Sequence, residues 1–181
     1  QPQESLSQPS FSPDGRRIAV SALSEGSKDI WVYDIDQEVG IRITSNQSVA
    51  GMPTWSPDGR QIAYQASDPF ADIYQIAVDG SQPAKGLLRS KLDERHPFWA
   101  QGDKLLFQSS ETGSGSNADI WYLPSTIDQA AIPVWVDDFT NWSPSLSPDG
   151  RYVVYQSNES GKWEIYVREF PSGIGKRTIS I

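Results

Sequence analysis

Short apolar and aromatic runs, broken at regular intervals by turn-forming residues, run through the whole chain. In its second quarter, "MPTW", "RQIAYQA" and "DIYQIAV" follow one another, each rich in the Ile, Val, Tyr and Trp that suit a pleated surface. Pro57, Asp58 and Gly59 separate the first two runs. Asp-Gly predicts a tight hairpin there, because glycine accepts a positive φ without strain. Asp79 and Gly80 then turn the chain toward a fourth strand around residues 85–89. No stretch carries a sustained helical period with caps. The pattern predicts an all-β protein.

The same pattern recurs. "SPDGRRIAV" begins at Ser12, "SPDGRQIAY" at Ser56 and "SPDGRYVVY" at Ser147. Pro9, Pro53, Pro97 and Pro144 mark equivalent points at spacings of 44, 44 and 47, and Asp29, Asp72, Asp119 and Glu164 mark a second series at 43, 47 and 45. Two markers in one phase mean four tandem copies, placed at about residues 6–50, 51–94, 95–140 and 141–181. A unit of four antiparallel strands cannot bury both faces alone, so neighbours must stack. Four strands per copy at this period predict a β-propeller of four tandem four-stranded antiparallel blades. The "SPDG" repeat then reads as turn chemistry, one hairpin per blade. In the third copy Ala100, Gln101, Gly102 and Asp103 replace that turn, which predicts a hairpin one residue shorter.

"PTWSPDGRQIAYQA", followed by "ADIYQIAVDG", resembles the TolB-type, WD-like propeller repeat of bacteria across nearly the whole chain. The closing "SPSLSPDGRYVVYQSNESGKWEIYVREFPSG" is similar to propeller repeats attached to bacterial receptor serine/threonine kinases and winged-helix regulators. The resemblance implies the extracytoplasmic (periplasmic) binding or sensing part of a larger bacterial protein. Members of the family usually have six or more blades. Three arrangements follow for four copies: a closed four-bladed ring, a half-ring that forms a homodimer through exposed blade flanks, or part of a larger ring. The chain starts at Gln1, without the basic and apolar regions of a leader, so either a leader has been removed or this is a piece of something longer.

Composition narrows the partners. The 181 residues are 37% hydrophobic and 11% aromatic, which predicts a folded chain with a sizeable core. A net charge of -8 with no basic cluster predicts no nucleic-acid binding. The apolar runs are too short for membrane insertion. With no cysteine, disulfides, thiolate catalysis and zinc-cysteine sites are excluded together.

Function is sought in the loops, since blade interiors are committed to packing. Topology places the "SPDG" hairpins on one face. The connections "SALSEGSKD", "ASDPFAD", "SSETGSGSNAD" and "SNESGKWE" share the other with the inter-blade segments "NQSVAGMP", "KLDERHP" and "DDFTNWSP". On that face Asp93, Glu94, Arg95, His96, Asp137, Asp138, Asn141 and Trp142 combine mixed charge with an aromatic, the composition of a surface for a protein partner or small ligand. His96, the only histidine, precedes Pro97 and is expected to make a structural hydrogen bond. Asp137 and Asp138 are read as solvated acids, and neither a metal nor a cofactor is expected. The repeated Asp29, Asp72, Asp119 and Glu164 are read as loop-holding hydrogen-bond acceptors. There is no nucleophile elbow, no "HExxH" and no complete phosphate loop. The sequence therefore predicts a non-catalytic binding module. The alternatives are the substrate-gating propeller of a prolyl-oligopeptidase-type peptidase and an assembly scaffold.

Overall fold

The computed structural model describes residues 5–23, 26–45, 49–67, 71–88, 90–111, 117–124 and 130–180, together with the backbone of Ser24. Parts of four expected loops, at positions 25, 46–48, 68–70 and 112–116, lie outside the described residues, as does Arg89 of the expected fourth strand.

Sixteen strands form four antiparallel four-stranded sheets, each built from consecutive strands. The first contains β1 (Ser5–Phe11), β2 (Arg17–Ser24), β3 (Ser27–Asp34) and β4 (Val39–Arg42). The second contains β5 (Val49–Trp55), β6 (Gln61–Ser67), β7 (Ala71–Ala77) and β8 (Lys85–Leu88). The third contains β9 (Leu92–Trp99), β10 (Leu105–Glu111), β11 (Asp119–Leu123) and β12 (Ile132–Pro133). The fourth contains β13 (Asn141–Leu146), β14 (Tyr152–Ser157), β15 (Glu164–Glu169) and β16 (Arg177–Thr178). These are the four blades predicted from the repeat. They fall into two compact units, Gln1–Arg89 and Ser90–Ile181, with two blades each.

Within each unit the blades mate through opposite faces. Call the face of a blade that carries Arg17, Ala19 and Val32 in the first blade its forward flank, and the reverse its back flank. In the first unit β5 packs across β1, β2 and β3. Ala19, Ile30 and Val32 from the forward flank of the first blade close a core with Trp55, Ile62 and Tyr64 from the back flank of the second. In the second unit Leu106 and Ile120 of the third blade meet Leu146 and Val153 of the fourth in the same way. Alternating strand geometry makes this possible, because successive side chains point to opposite faces and each blade can present a core to both sides.

Every first strand carries a β-bulge at its Pro. Gln8, Met52, His96 and Ser143 all have φ between 51° and 56°, and each precedes the marker Pro. The pairing shifts register at each of these points. Two residues of the first strand thus face one of the second, namely Val20, Tyr64, Phe107 or Tyr155, and Pro costs no ladder bond there because it has no N–H to give. The bulge lets each strand continue upstream of its Pro. β5 begins at Val49 and β9 at Leu92, a few residues ahead of the boundaries read from the sequence.

Three hairpins share one hydrogen-bond set. Ser12, Ser56 and Ser147 donate through Oγ to Asp14, Asp58 and Asp149 at 2.5, 2.7 and 2.6 Å. The same hydroxyls accept the N–H groups of Arg17, Gln61 and Tyr152. Gly15, Gly59 and Gly150 supply the positive φ that closes each turn. In the third blade Ala100 N–H reaches Lys104 O directly at 2.8 Å, where Ser12 N–H reaches Arg17 O. That turn is one residue shorter than the others, as the missing "SPDG" predicts.

Candidate functional site

All eight sequence-predicted residues lie in the second unit, in two groups. The first group, residues 93–96, was expected on an inter-blade loop. It lies instead within β9, because the strand runs through the bulge at His96-Pro97. Asp93 and Glu94 are buried. Glu94 Oε1 accepts Ser90 Oγ at 2.6 Å, and Asp93 Oδ2 pairs with Arg95 Nη2 at 3.2 Å. His96 Nδ1 lies 2.9 Å from Gln108 Oε1. An amide oxygen only accepts, so Nδ1 carries the proton and this nitrogen is committed to the cross-strand bond. These residues support the strand, and of the four only Arg95 and His96 are half-open to solvent.

Of the second group, Asp137 and Asp138 lie on the segment that links β12 to β13 while Asn141 and Trp142 open β13 itself, and here the structure assembles a tight polar cluster. Asp137 N–H donates to Asp119 Oδ1 at 3.1 Å. Asn141 Nδ2 and Phe139 N–H both donate to Asp137 Oδ1, at 2.9 and 3.0 Å. Asn117 N–H donates to Thr140 Oγ1, Asn141 N–H to Ala118 O, and Thr140 N–H to Asn158 Oδ1. The linker is therefore stitched to both of its blades. Arg168 of β15 completes the cluster. Its guanidinium sits 4.6 Å from the Trp135 ring centroid and 5.9 Å from that of Tyr155. It donates to Tyr155 Oη and Gly173 O and lies 3.8 Å from Asp137. Gly173 has φ +68°, and a Cβ there would meet Val134 O at 2.7 Å, so the loop after β15 can approach the linker only with glycine.

Burial raises the Asp119 carboxyl to about 6, with the charges of Asp137 and Asp138 pushing the same way against the bond from Asp137 N–H. A cavity of about 310 Å³ opens beside Asp119, walled by Leu92, Ser109, Ser110, Glu111 and Asn117 among others. Three buried polar atoms of this region have no partner among the described residues: Asn141 Oδ1, Trp135 Nε1 and Trp142 Nε1. Trp142 stacks on Trp163 with centroids 4.7 Å apart, and Trp163 is half-exposed. Val136, Asp138 and Phe139 of the linker are exposed as well.

Asp137, Asp138, Asn141 and Trp142 are recognisable as site residues from the sequence, whereas Asp119, Trp135, Tyr155, Trp163 and Arg168 are not. The repeat makes Asp119 one of four equivalent acceptors, and in part it is one. Asp29 takes Thr44 Oγ1 at 2.9 Å and pairs with Arg42 at 2.6 Å, tying β3 to the chain beyond β4 as Asp119 ties β11 to the linker. The difference is that Asp29 has a cation and Asp119 has two acids. Among the described residues no three His, Asp or Glu side chains are grouped to hold a metal ion.

Residues 2–179 match the TolB beta propeller domain. The chain belongs to that family. It is 31% identical over 161 residues to the Tol-Pal system protein TolB of Francisella tularensis, covering 85% of this chain and 36% of that protein. The chain thus spans about a third of the length of the curated relatives it matches. Its fold superimposes on a TolB from Agrobacterium tumefaciens with a TM-score of 0.83 at 23% identity, over 97% of this chain and 65% of the other. It also superimposes on a prolyl endopeptidase structure with a TM-score of 0.71 at 14% identity, over 98% of this chain and 29% of the other. At those identities the likeness shows the fold alone. This TolB-like chain therefore shares its blade architecture with a TolB and with a prolyl endopeptidase structure, and a shared fold does not by itself carry a shared function.

Proposed function

We propose that this TolB-like chain is a non-catalytic binding module, which docks a protein partner on the extracytoplasmic side of a bacterial cell through the linker surface of its second unit. The observation that carries the reading is the family match over residues 2–179, whose curated relatives are named as parts of a Tol-Pal system and hence of a multi-protein assembly. The linker supplies the right surface. Val136, Phe139 and the Trp142–Trp163 pair put apolar and aromatic area beside Asp138, and the hydrogen bonds of Asp137 and Thr140 hold that area rigid before contact. The gating propeller of a peptidase is the competing reading, and nothing in this chain's site favours it.

The test is capture from a bacterial periplasmic extract by immobilised chain, comparing two sets of variants. Alanine at Phe139, Trp142 and Trp163 is expected to abolish capture, while alanine at Arg16 and Arg60 on the hairpin face leaves it intact. Capture that survives the first set and fails with the second would contradict the reading. A small ligand is the second reading, favoured by the cavity beside Asp119. Its seryl, amide and carboxylate walls suit a sugar or an amine. A thermal shift with a panel of sugars and amines that Asp119→Asn removes would support it, and no shift across the panel would end it.

A further inference from the structure

A second cavity, of about 440 Å³, opens in the first unit, where the β5–β6 hairpin and the β7–β8 turn of the second blade meet Arg17 of the first. Its lining falls among residues 17–82 and shares nothing with the linker surface or with the cavity beside Asp119. Two guanidinium groups, Arg17 and Arg60, stand in its wall against one carboxylate, Asp79. That balance favours an anion.

Arg17 is fixed in place before any ligand arrives. Its guanidinium carbon lies 4.8 Å from the Trp55 ring centroid, and its Nη2 donates to Gly59 O at 2.9 Å. Trp55 is held in turn, since it is buried and its Nε1 donates to Ser10 O at 2.9 Å. No carboxylate among the described residues forms an ion pair with Arg17. Asp34, which faces it across the β2–β3 ladder, accepts Gln37 N–H at 2.9 Å instead. Nor does the repeat demand an arginine here. The same position holds Gln61, Lys104 and Tyr152 in the other blades, each one residue before Ile62, Leu105 or Val153. A cation that the fold does not require, held rigid and short of an acid, is preorganised for binding.

The rest of the wall sets the kind of anion. Arg60 follows Gly59 in the hairpin, is exposed and forms no ion pair among the described residues. Asp79 does not neutralise either arginine: its Oδ1 accepts Ser81 N–H at 2.9 Å, and the Ser81 hydroxyl and N–H hold its carboxyl below the ordinary range. An oxyanion gains planar, charge-assisted hydrogen bonds from guanidinium groups. Beside them Ser81, Gln82 and Asp79 offer the donors and acceptors that hydroxyl groups need. The volume lies in the range of small-molecule sites.

We infer that this cavity is a binding site for a small hydroxylated anion, whose carboxylate or phosphate is held by Arg17 and Arg60 and whose hydroxyls are held by Ser81, Gln82 and Asp79. It uses no residue of the linker surface, and it stands or falls independently of protein docking there.

The test is an NMR titration read on the Arg17 Nε–H signal, identified by its absence in Arg17→Lys, with glucuronate, glucose 6-phosphate and glucose as probes. At least one of the two anions is expected to move the signal to saturation, and which one does so tells a carboxylate ligand from a phosphate. Glucose is expected to leave it in place. Arg17→Lys keeps a cation beside Trp55 but loses the planar fork, and Arg60→Gln removes an exposed charge without touching the core. Each is expected to weaken anion binding about 10-fold by calorimetry, the scale of one charge-assisted hydrogen bond. Arg16→Gln removes an equal charge from the neighbouring hairpin, outside the cavity, and is expected to bind as the wild type does. The inference would be overturned by any of four results: no saturable shift with either anion, an equal shift with glucose, undiminished binding in Arg60→Gln, or an equal loss in Arg16→Gln.

Discussion

The hairpin turns and the β12–β13 linker treat the same side chain in opposite ways. Asp14, Asp58 and Asp149 each accept a serine hydroxyl and an arginine N–H, and these bonds hold all three carboxyls below their ordinary range. Asp119 receives one N–H, faces Asp137 and Asp138, and is pushed up to about 6. The turns complete the hydrogen bonds of their serine and aspartate side chains among six consecutive residues. The linker draws its partners from β11, the loop after β14 and β15, and still leaves Asn141 Oδ1 and two indole N–H groups buried without partners among the described residues. The repeated turns are satisfied within themselves. Trp31 Nε1 and Gln75 Oε1 are also buried without partners among the described residues, but only around the linker do three such groups stand together, and unsatisfied buried groups are where binding has something to gain.

The contrast can be strained at its strongest point first. Arg168→Ala removes two ring contacts and two hydrogen bonds and leaves Asp137 beside Asp119 without its cation, so a loss of about 2–4 kcal/mol is expected in denaturant unfolding of the second unit. A change below about 0.5 kcal/mol would mean that the linker does not depend on the cluster. On the other side of the comparison, Ser56→Ala frees Asp58 and the Gln61 N–H together. It is expected to cost about 1–2 kcal/mol, the usual loss when a part-buried hydrogen-bonded hydroxyl is deleted. Ala100 already occupies that place in the shorter turn, so Ala100→Ser should bring no matching gain.

Asp119→Asn sharpens the comparison through pH. The folded pKa of Asp119 is raised from 3.8 to about 6, so the folded chain holds this proton more tightly than the unfolded one. The associated stability is present below the unfolded pKa and is lost as pH rises through about 6. Asparagine can still accept the Asp137 N–H without the charge. The variant is expected to be about 1 kcal/mol more stable than wild type at pH 7, a figure reduced for partial solvent exposure, and to lose the slope between the two pKa values in urea melts. The hairpin carboxylates run the other way: what they contribute is present above the ordinary carboxylate range and lost as pH falls below it. Least of all in stability, Trp163→Ala should cost under about 1 kcal/mol, since the ring is half-exposed, while removing partner capture.

The architecture was legible in the sequence because each blade repeats its own instructions: a turn with a fixed serine, aspartate and glycine, and alternating strands on either side. The third turn was legible for the same reason, by the absence of Ser and Pro at Ala100 and Gln101. The start of β9 was not. Pro97 looks like the first residue of a strand, and only the left-handed His96 shows that the strand passes through it, which moved Asp93 and Glu94 from a surface into a buried ladder. The site was half legible. Asp137, Asp138, Asn141 and Trp142 stand out as a stretch without counterpart in the other blades. Arg168, Tyr155 and Trp163 come from strands and loops that look like any other blade, and only the folding of the fourth sheet against the linker brings them there.

The most direct test of the contrast is a carbon-detected NMR titration of the aspartate side chains between pH 2 and pH 8, a range that brackets the ordinary carboxylate value. The account predicts that Asp119 titrates near 6 while Asp14, Asp58 and Asp149 titrate below their ordinary value. If Asp119 titrated together with the hairpin carboxylates, the linker would be as well satisfied as the turns, and the distinction on which the candidate site rests would be gone.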